Sequence, residues 1–207
     1  MAATYIVGAG GFGRETLDAL LATESESSPS SADEPPSTVR FVDEMLAGRT
    51  VRGIDVIAPQ EVHDGRYVVA IANPEVRHRL ADELQSRGLR PFTVVHPRAI
   101  IGPETTVAPG CVVLGGAHVS SSVILAQHVQ VNYNATVGHD AVLEEFVTVL
   151  PGANVAGATH IQAGATIGSN ACVLQGLTVG ARAWVGAGAV VTRNVLMDAV
   201  VKGVPAR

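Results

Sequence analysis

Large rings and lysine are scarce in this chain. Aromatic residues make up 4% of its 207 residues, which excludes a core built around stacked rings and leaves Val, Ile, Leu and Ala to fill the interior in some regular way. There is one lysine, Lys202, and between Pro103 and Ala181 there is neither Lys nor Arg. With a formal net charge of −5, a nucleic-acid surface is not the chain's main business. Two cysteines, Cys111 and Cys172, are too few for a disulfide framework. No apolar run reaches the ~18 residues of a membrane span. The first residues lack the basic flank and apolar stretch of a secretory signal, so a cytoplasmic location is expected.

What is present is 47% hydrophobic content and 22 glycines, enough for a sizeable core in one or two domains. Residues 1–94 alternate strand and helix patterns. Thr4–Val7, Val39–Val42 and Tyr67–Ala72 read as strands, and Arg14–Leu21 and Glu75–Ser86 as helices, an α/β Rossmann-like βαβ unit. Within it, residues 24–38 are Ser-, Glu- and Pro-rich with little to bury, and read as a flexible surface loop.

From residue 95 to 207 the pattern is a repeat of six. Ile101 and every sixth residue after it, through Val137 and Leu143 to Val191, give sixteen consecutive Val, Ile or Leu. Four residues after each comes a second, mostly small slot, as at Cys111, Ala135, Ala141 and Ala189. A six-residue step is not a whole number of helical turns, and it is not the simple alternation of a strand, so the pattern predicts a β-solenoid. Apolar residues pointing outward, such as Leu114, Ile124 and Leu150, are expected to lack cover in a monomer and to favour association.

Three constellations carry chemistry. Gly8 to Gly13 contains G-x-G-x-x-G between a strand and a helix, where backbone amides can face a phosphate. Asp43 and Glu44 end the next strand and could meet a ribose or base. A dinucleotide dehydrogenase is the obvious reading, but a unit of under about 100 residues has no second half for a dinucleotide, which favours a mononucleotide-type ligand. On the repeat, His139 and Asp140 fall at a corner where packing demands neither. The pair reads as a general base with its supporting acid, or as an ordinary exposed polar pair. Arg182, Arg193, Lys202 and Arg207 gather the late positive charge, either for the phosphates of an acyl carrier or for a soluble cap.

Taken together, Tyr5 to Glu15, Phe41 to Glu44, Ala70 to Pro74, the hexad run with Gly138-His139-Asp140 and the closing Gly203 to Arg207 resemble the sialic acid O-acetyltransferases of the NeuD type and the UDP-4-amino-sugar N-acetyltransferases of the PglD type. The resemblance implies a left-handed parallel β-helix, a homotrimer, a nucleotide sugar held by the N-terminal unit and acetyl-CoA between neighbouring prisms. It implies Gly10, Gly11, Phe12, Asp43, Glu44, Ala72 and Asn73 at the nucleotide sugar, and His139 with Asp140 as base and tuning acid. Acetyl-CoA would meet Thr148, Ser169, Ala187, Lys202 and Arg207. Thr148 departs from the family, which commonly has a histidine there. Acetyl would pass directly to an amine or a hydroxyl, and a trimer that has lost catalysis is the alternative. A zinc lyase of the γ-carbonic anhydrase type uses a His pair five residues apart, which is absent, so no metal is expected.

Overall fold

The computed structural model describes residues 3–27 and 39–207, apart from the side chains of 24–27. Strand β1 (Thr4–Val7) leads into helix α1 (Gly11–Ser27), followed by β2 (Val39–Val42), β3 (Thr50–Val51), β4 (Ile54–Ile57), β5 (Arg66–Val69), α2 (Pro74–Ser86) and β6 (Arg90–Pro91). They form a mixed sheet in the order β3-β4-β2-β1-β5-β6, parallel except for the β3–β4 hairpin.

Helix α1 starts three residues before the expected Arg14, because the Gly10 carbonyl already accepts from the Arg14 amide. It also runs on through residues expected in the flexible loop, as far as Ser27; the rest of that loop lies outside the described residues. Strand β5 ends at Val69, short of the expected Ala72, since the next residues prepare the cap of α2. There the Asn73 side chain accepts from the Val76 amide at 3.0 Å and Pro74 occupies the first turn. The β3–β4 hairpin, not anticipated, turns on Arg52 and Gly53, both at positive φ.

From β7 (Val94–Val95) to β24 (Val200–Val201) the chain winds as a parallel β-solenoid of dipeptide strands. Every third strand lies on the same face, so neighbours pair eighteen residues apart, Val112 beside Gln130 and His118 beside Thr136. The three faces hold seven, six and five strands. The first contains β7, β10 (Val112–Val113), β13 (Gln130–Val131), β16 (Thr148–Val149), β19 (Thr166–Ile167), β22 (Trp184–Val185) and β24, whose Val200 lies beside Trp184 after a last coil of sixteen residues. The second includes β14 (Thr136–Val137) and the third β15 (Val142–Leu143). The aliphatic column from Val113 to Val191 is buried together with the small residues of the second slot. Corners turn through a residue at positive φ that recurs every sixth position. Asn134, Asp140 and Asn170 suit that conformation, while His128, Phe146 and Arg182 adopt it against their preference.

The sheet docks on the first face. Its cluster of Ile6, Leu17, Phe41 and Val68 continues into Val94, Val112 and Leu114. Leu114, expected on an uncovered surface, is therefore fully buried, because the N-terminal unit rather than a second copy covers it; Ile124 remains exposed and Leu150 half-buried.

The joint is pinned by Arg77 of α2, which has no exposed surface. Its Nε donates to the His128 carbonyl at 3.0 Å, one terminal nitrogen to the Ile71 and Ala72 carbonyls at 2.8 and 3.0 Å and to Gln130 Oε1 at 3.1 Å, and the other to the Phe146 carbonyl at 2.6 Å and Thr148 Oγ1 at 2.9 Å. Burial pulls its pKa down to about 9, so the guanidinium stays charged at neutral pH. Beside it His128, also buried, stacks on Phe146 with ring centres 5.0 Å apart. Among the described residues, its Nδ1 is the one buried side-chain nitrogen or oxygen without a hydrogen-bond partner.

Removing the Arg77 fork takes their donor from carbonyl and side-chain oxygens buried at the joint. Arg77→Met is expected to lower the unfolding free energy by about 3–5 kcal/mol, read from urea midpoints. Burial, assisted by the Arg77 charge, depresses the folded-state pKa of His128 to about 4, while the unfolded chain takes up its proton near 6.5. Stability is therefore lost as pH falls from about 6.5 towards 4, by about 2 kcal/mol between pH 7 and 5. His128→Gln should remove that part of the pH dependence of the urea midpoint.

Candidate active site

β1 is central with β2 and β5 on either side, so the loops leaving these three strands converge at their carboxyl ends, the usual ligand crevice of an open parallel sheet. The glycine turn is fixed from below. Gly8 has φ +104, and a Cβ on Gly13 would lie 1.9 Å from the Gly8 oxygen. A Cβ on Gly10 or Gly11 would meet nothing within 4 Å, so these two leave open space above the turn. Phe12 is half-buried against the core. Asp43 Oδ2 accepts from the Ala9 amide at 3.0 Å, and Oδ1 from the Met45 and Leu46 amides at 3.0 and 3.2 Å. Its carboxylate thus ties the β2 loop to the glycine turn, and Glu44, which is exposed, is the acid turned to solvent. The Ala72 carbonyl is held by Arg77 and by Thr148 Oγ1 at 3.0 Å. Asn73 caps α2.

On the solenoid, His139 and Asp140 occupy the edge between the second and third faces. His139 Nδ1 lies 2.7 Å from Asp140 Oδ2, and both side chains are more than half exposed, at 54% and 61%. A carboxylate can only accept, so it holds the proton on Nδ1 and leaves Nε2 with its lone pair, the arrangement a general base requires. Ser169 and Ala187 stack on a different edge, between the first and second faces, where the Lys202 side chain also lies, 3.1 Å from where a Gly186 Cβ would be. The Lys202 and Arg207 backbones pair, with N···O distances of 3.0 and 3.1 Å, to hook the tail over the last coil. The late cations are not one patch. Arg182 sits on the third edge in a bidentate ion pair with Asp198, and Arg193 lies on the edge that carries His139.

Thr148 requires a correction. It has no exposed surface and is consumed by Arg77 and the Ala72 carbonyl; the joint between sheet and solenoid buries it, so it presents nothing to a cofactor. His160, which has no partner near it in sequence, pairs through Nε2 with Glu144 at 2.6 Å, and Glu144 also accepts from the Ala163 amide. A separation of sixteen residues in sequence hides that pair until the coil stacks them. Burial pushes the Cys111 thiol up to about 12, which rules it out as a nucleophile at neutral pH. Neither Arg77 nor Glu144 was singled out by sequence, and only their positions in adjoining coils and elements give them meaning. A cleft of about 470 Å³ opens between the start of α2 and the third edge, with Glu75, His78, Glu145, Phe146 and Trp184 on its walls. It holds Asn73 but not His139. Among the described residues no group of three His, Cys, Asp or Glu could hold a metal ion, and no helix is long and apolar enough to cross a membrane.

A mixed sheet carrying a glycine turn, set against a parallel solenoid with a His–carboxylate pair on its edge, defines a hexapeptide-repeat enzyme. No protein-family model matches the chain. The GDP-perosamine N-acetyltransferase of Escherichia coli O157:H7 is 32% identical over 175 residues, 82% of this chain and 77% of that protein. The structure of WeeI from Acinetobacter baumannii AYE matches with a TM-score of 0.90 at 28% identity, over 100% of this chain and 99% of that one. The His-to-Asn mutant of perosamine N-acetyltransferase from Caulobacter crescentus, solved with CoA and GDP-perosamine, matches with a TM-score of 0.88 at 26% identity, over 100% and 96%. The chain belongs to the left-handed β-helix sugar acetyltransferases of the NeuD/PglD type.

The two kinds of glycine in the turn separate experimentally. Gly13→Ala drives a methyl into the Gly8 carbonyl and should cost several kcal/mol, seen as a lowered thermal midpoint. Gly10→Ala should stay within about 1 kcal/mol of wild type and act only on ligand binding.

Proposed function

We propose that this protein transfers the acetyl group of acetyl-CoA to the amino group of a nucleotide-linked amino sugar, with His139 as general base. The observation that carries the reading is the His139–Asp140 pair, whose carboxylate fixes the proton on Nδ1 and leaves Nε2 as acceptor. His139 takes the proton of the acceptor amine as its nitrogen attacks the thioester carbonyl. Asp140 stabilises the imidazolium that results, and a backbone amide of a glycine-rich corner stabilises the oxyanion. Collapse expels the CoA sulfur, which receives the proton from His139. No acyl-enzyme is needed, consistent with the inert Cys111.

The N-terminal sheet is read as a Rossmann-like nucleotide-sugar module spanning residues 1–94, and residues 95–207 as the acetyl-transferring prism. Gly10, Gly11, Phe12 and Glu44 would meet the nucleotide sugar, with Asp43, Ala72 and Asn73 holding the loops that shape its crevice. Ser169, Ala187, Lys202 and Arg207 are assigned to acetyl-CoA. They lie on a different edge from His139, which supports a homotrimer in which one protomer's base faces its partner's cofactor edge. GDP-perosamine, bound in the relative from Caulobacter crescentus, is the first acceptor to try, and the cytoplasm, where nucleotide sugars and acetyl-CoA are made, is the proposed location.

Thiol release from acetyl-CoA, measured with GDP-perosamine and a panel of UDP-linked 4-amino sugars and hydroxyl-bearing analogues, tests the reading. His139→Ala should lower kcat by about 10²–10⁴ and Asp140→Asn by less, with folding unchanged. Near-normal turnover of His139→Ala across pH 6 to 9 would sink the base assignment, and thiol release with the hydroxyl analogues alone would make the enzyme an O-acetyltransferase.

A further inference from the structure

The imidazole of His139 rests on the backbone of the next coil. A Cβ built on Gly157 would stand 2.7 Å from His139 Nε2, 2.8 Å from Cε1 and 3.0 Å from Cδ2, distances that non-bonded atoms do not tolerate. The ring therefore occupies the volume that any side chain at position 157 would take, and it does so with the nitrogen that Asp140 leaves open.

The solenoid itself does not ask for glycine there. Strand registers Val119 to Val137, Val137 to Val155 and Val155 to Val173 place Ser121, His139, Gly157 and Gln175 in one column, at the first turn position of this edge. The column accepts a hydroxyl, an imidazole and a carboxamide on its other rungs. The left-handed backbone that favours glycine belongs to the following residue, Ser122, Asp140, Ala158 or Gly176, and not to Gly157. No turn requirement accounts for the missing side chain, and the ring lying over it does.

We propose that Gly157 is a positioning residue for the acetyl transfer: its bare Cα is the seat that, with Asp140, fixes the His139 ring and the direction of Nε2. The proposal rests on the reading of His139 as the base. Two constraints define the ring, the Asp140 carboxylate at Nδ1 from one side and the Gly157 seat beneath, and neither alone sets the ring plane. Because the atoms that a new methyl would meet are the movable end of a side chain, the ring yields rather than the backbone.

Gly157→Ala should thus leave the thermal midpoint and the KM values of both substrates near wild type, while kcat falls at least about tenfold. The double variant Gly157→Ala/His139→Ala should be no slower than His139→Ala alone, since a displaced ring and an absent ring forfeit the same step. The histidine ring ¹⁵N–¹H correlation spectrum gives a readout independent of turnover. The His139 signals should shift and change their titration in Gly157→Ala but not in Gln175→Ala, the neighbouring rung of the same column. Unchanged His139 signals, undiminished kcat in Gly157→Ala beside an inactive His139→Ala, or additive losses in the double variant would each overturn the proposal. If His139→Ala proves active, the base assignment fails, and the spectra still decide whether Gly157 seats the ring.

Discussion

The return of the chain to the same face after eighteen residues, as Val112 to Gln130, is the constraint on which the rest of this molecule depends. Adjacent strands stand about 4.8 Å apart, so each edge of the prism is a ladder whose rungs are set by backbone pairing and not by side-chain choice. A residue placed on a rung can touch only the rungs beside it and whatever packs against that edge. His139 is given an acid by its sequence neighbour and a floor by the next rung. Ser169 and Ala187 share another ladder, one face away, and no flexibility within a coil brings them to the histidine.

The sheet is bound to this ladder by a buried cation without a buried acid. Arg77 is neutralised only by carbonyl, amide and hydroxyl oxygens, an arrangement that tolerates little displacement because those oxygens belong to two separate parts of the chain. The Ile71 and Ala72 carbonyls come from the loop beside the glycine turn, and Phe146 and Thr148 come from the solenoid. One guanidinium thereby sets the crevice beside the glycine turn in register with the coils. Alkyl packing from Leu114 and Val112 adds adhesion, but greasy contacts slide, and the directional fork of Arg77 does not.

The solenoid was legible residue by residue because its period repeats sixteen times and burial follows that period without exception from Val113 onward. The strands Thr4–Val7 and Val39–Val42 were legible for the ordinary reason that short apolar runs between turn residues pair centrally. The β3–β4 hairpin was missed although Arg52-Gly53 marks its turn, since runs of two and four residues carry little pattern. Thr148 was misjudged because position in the repeat gives the face but not what covers the face. Asp43 was legible as an acid ending the second strand, but its three backbone partners were not, for they depend on how two loops fold back together. His139 beside Asp140 was visible as a dipeptide, whereas Gly157 lies a full coil away and looked like any other glycine.

The same period restricts how such a chain can change length. An insertion of one hexad between His139 and Ser169 preserves every inward aliphatic residue, so the protein would still fold as a solenoid. It would nevertheless rotate all later residues by one edge, bringing Ser169, Ala187 and Lys202 round to the edge that carries His139. Only whole coils, or loops that bulge out at a corner without advancing the count, leave the edges in phase. Among descendants of this architecture, lengths of the prism should therefore differ in steps of a full coil, while the sheet domain, free of any such phase, can vary by single residues.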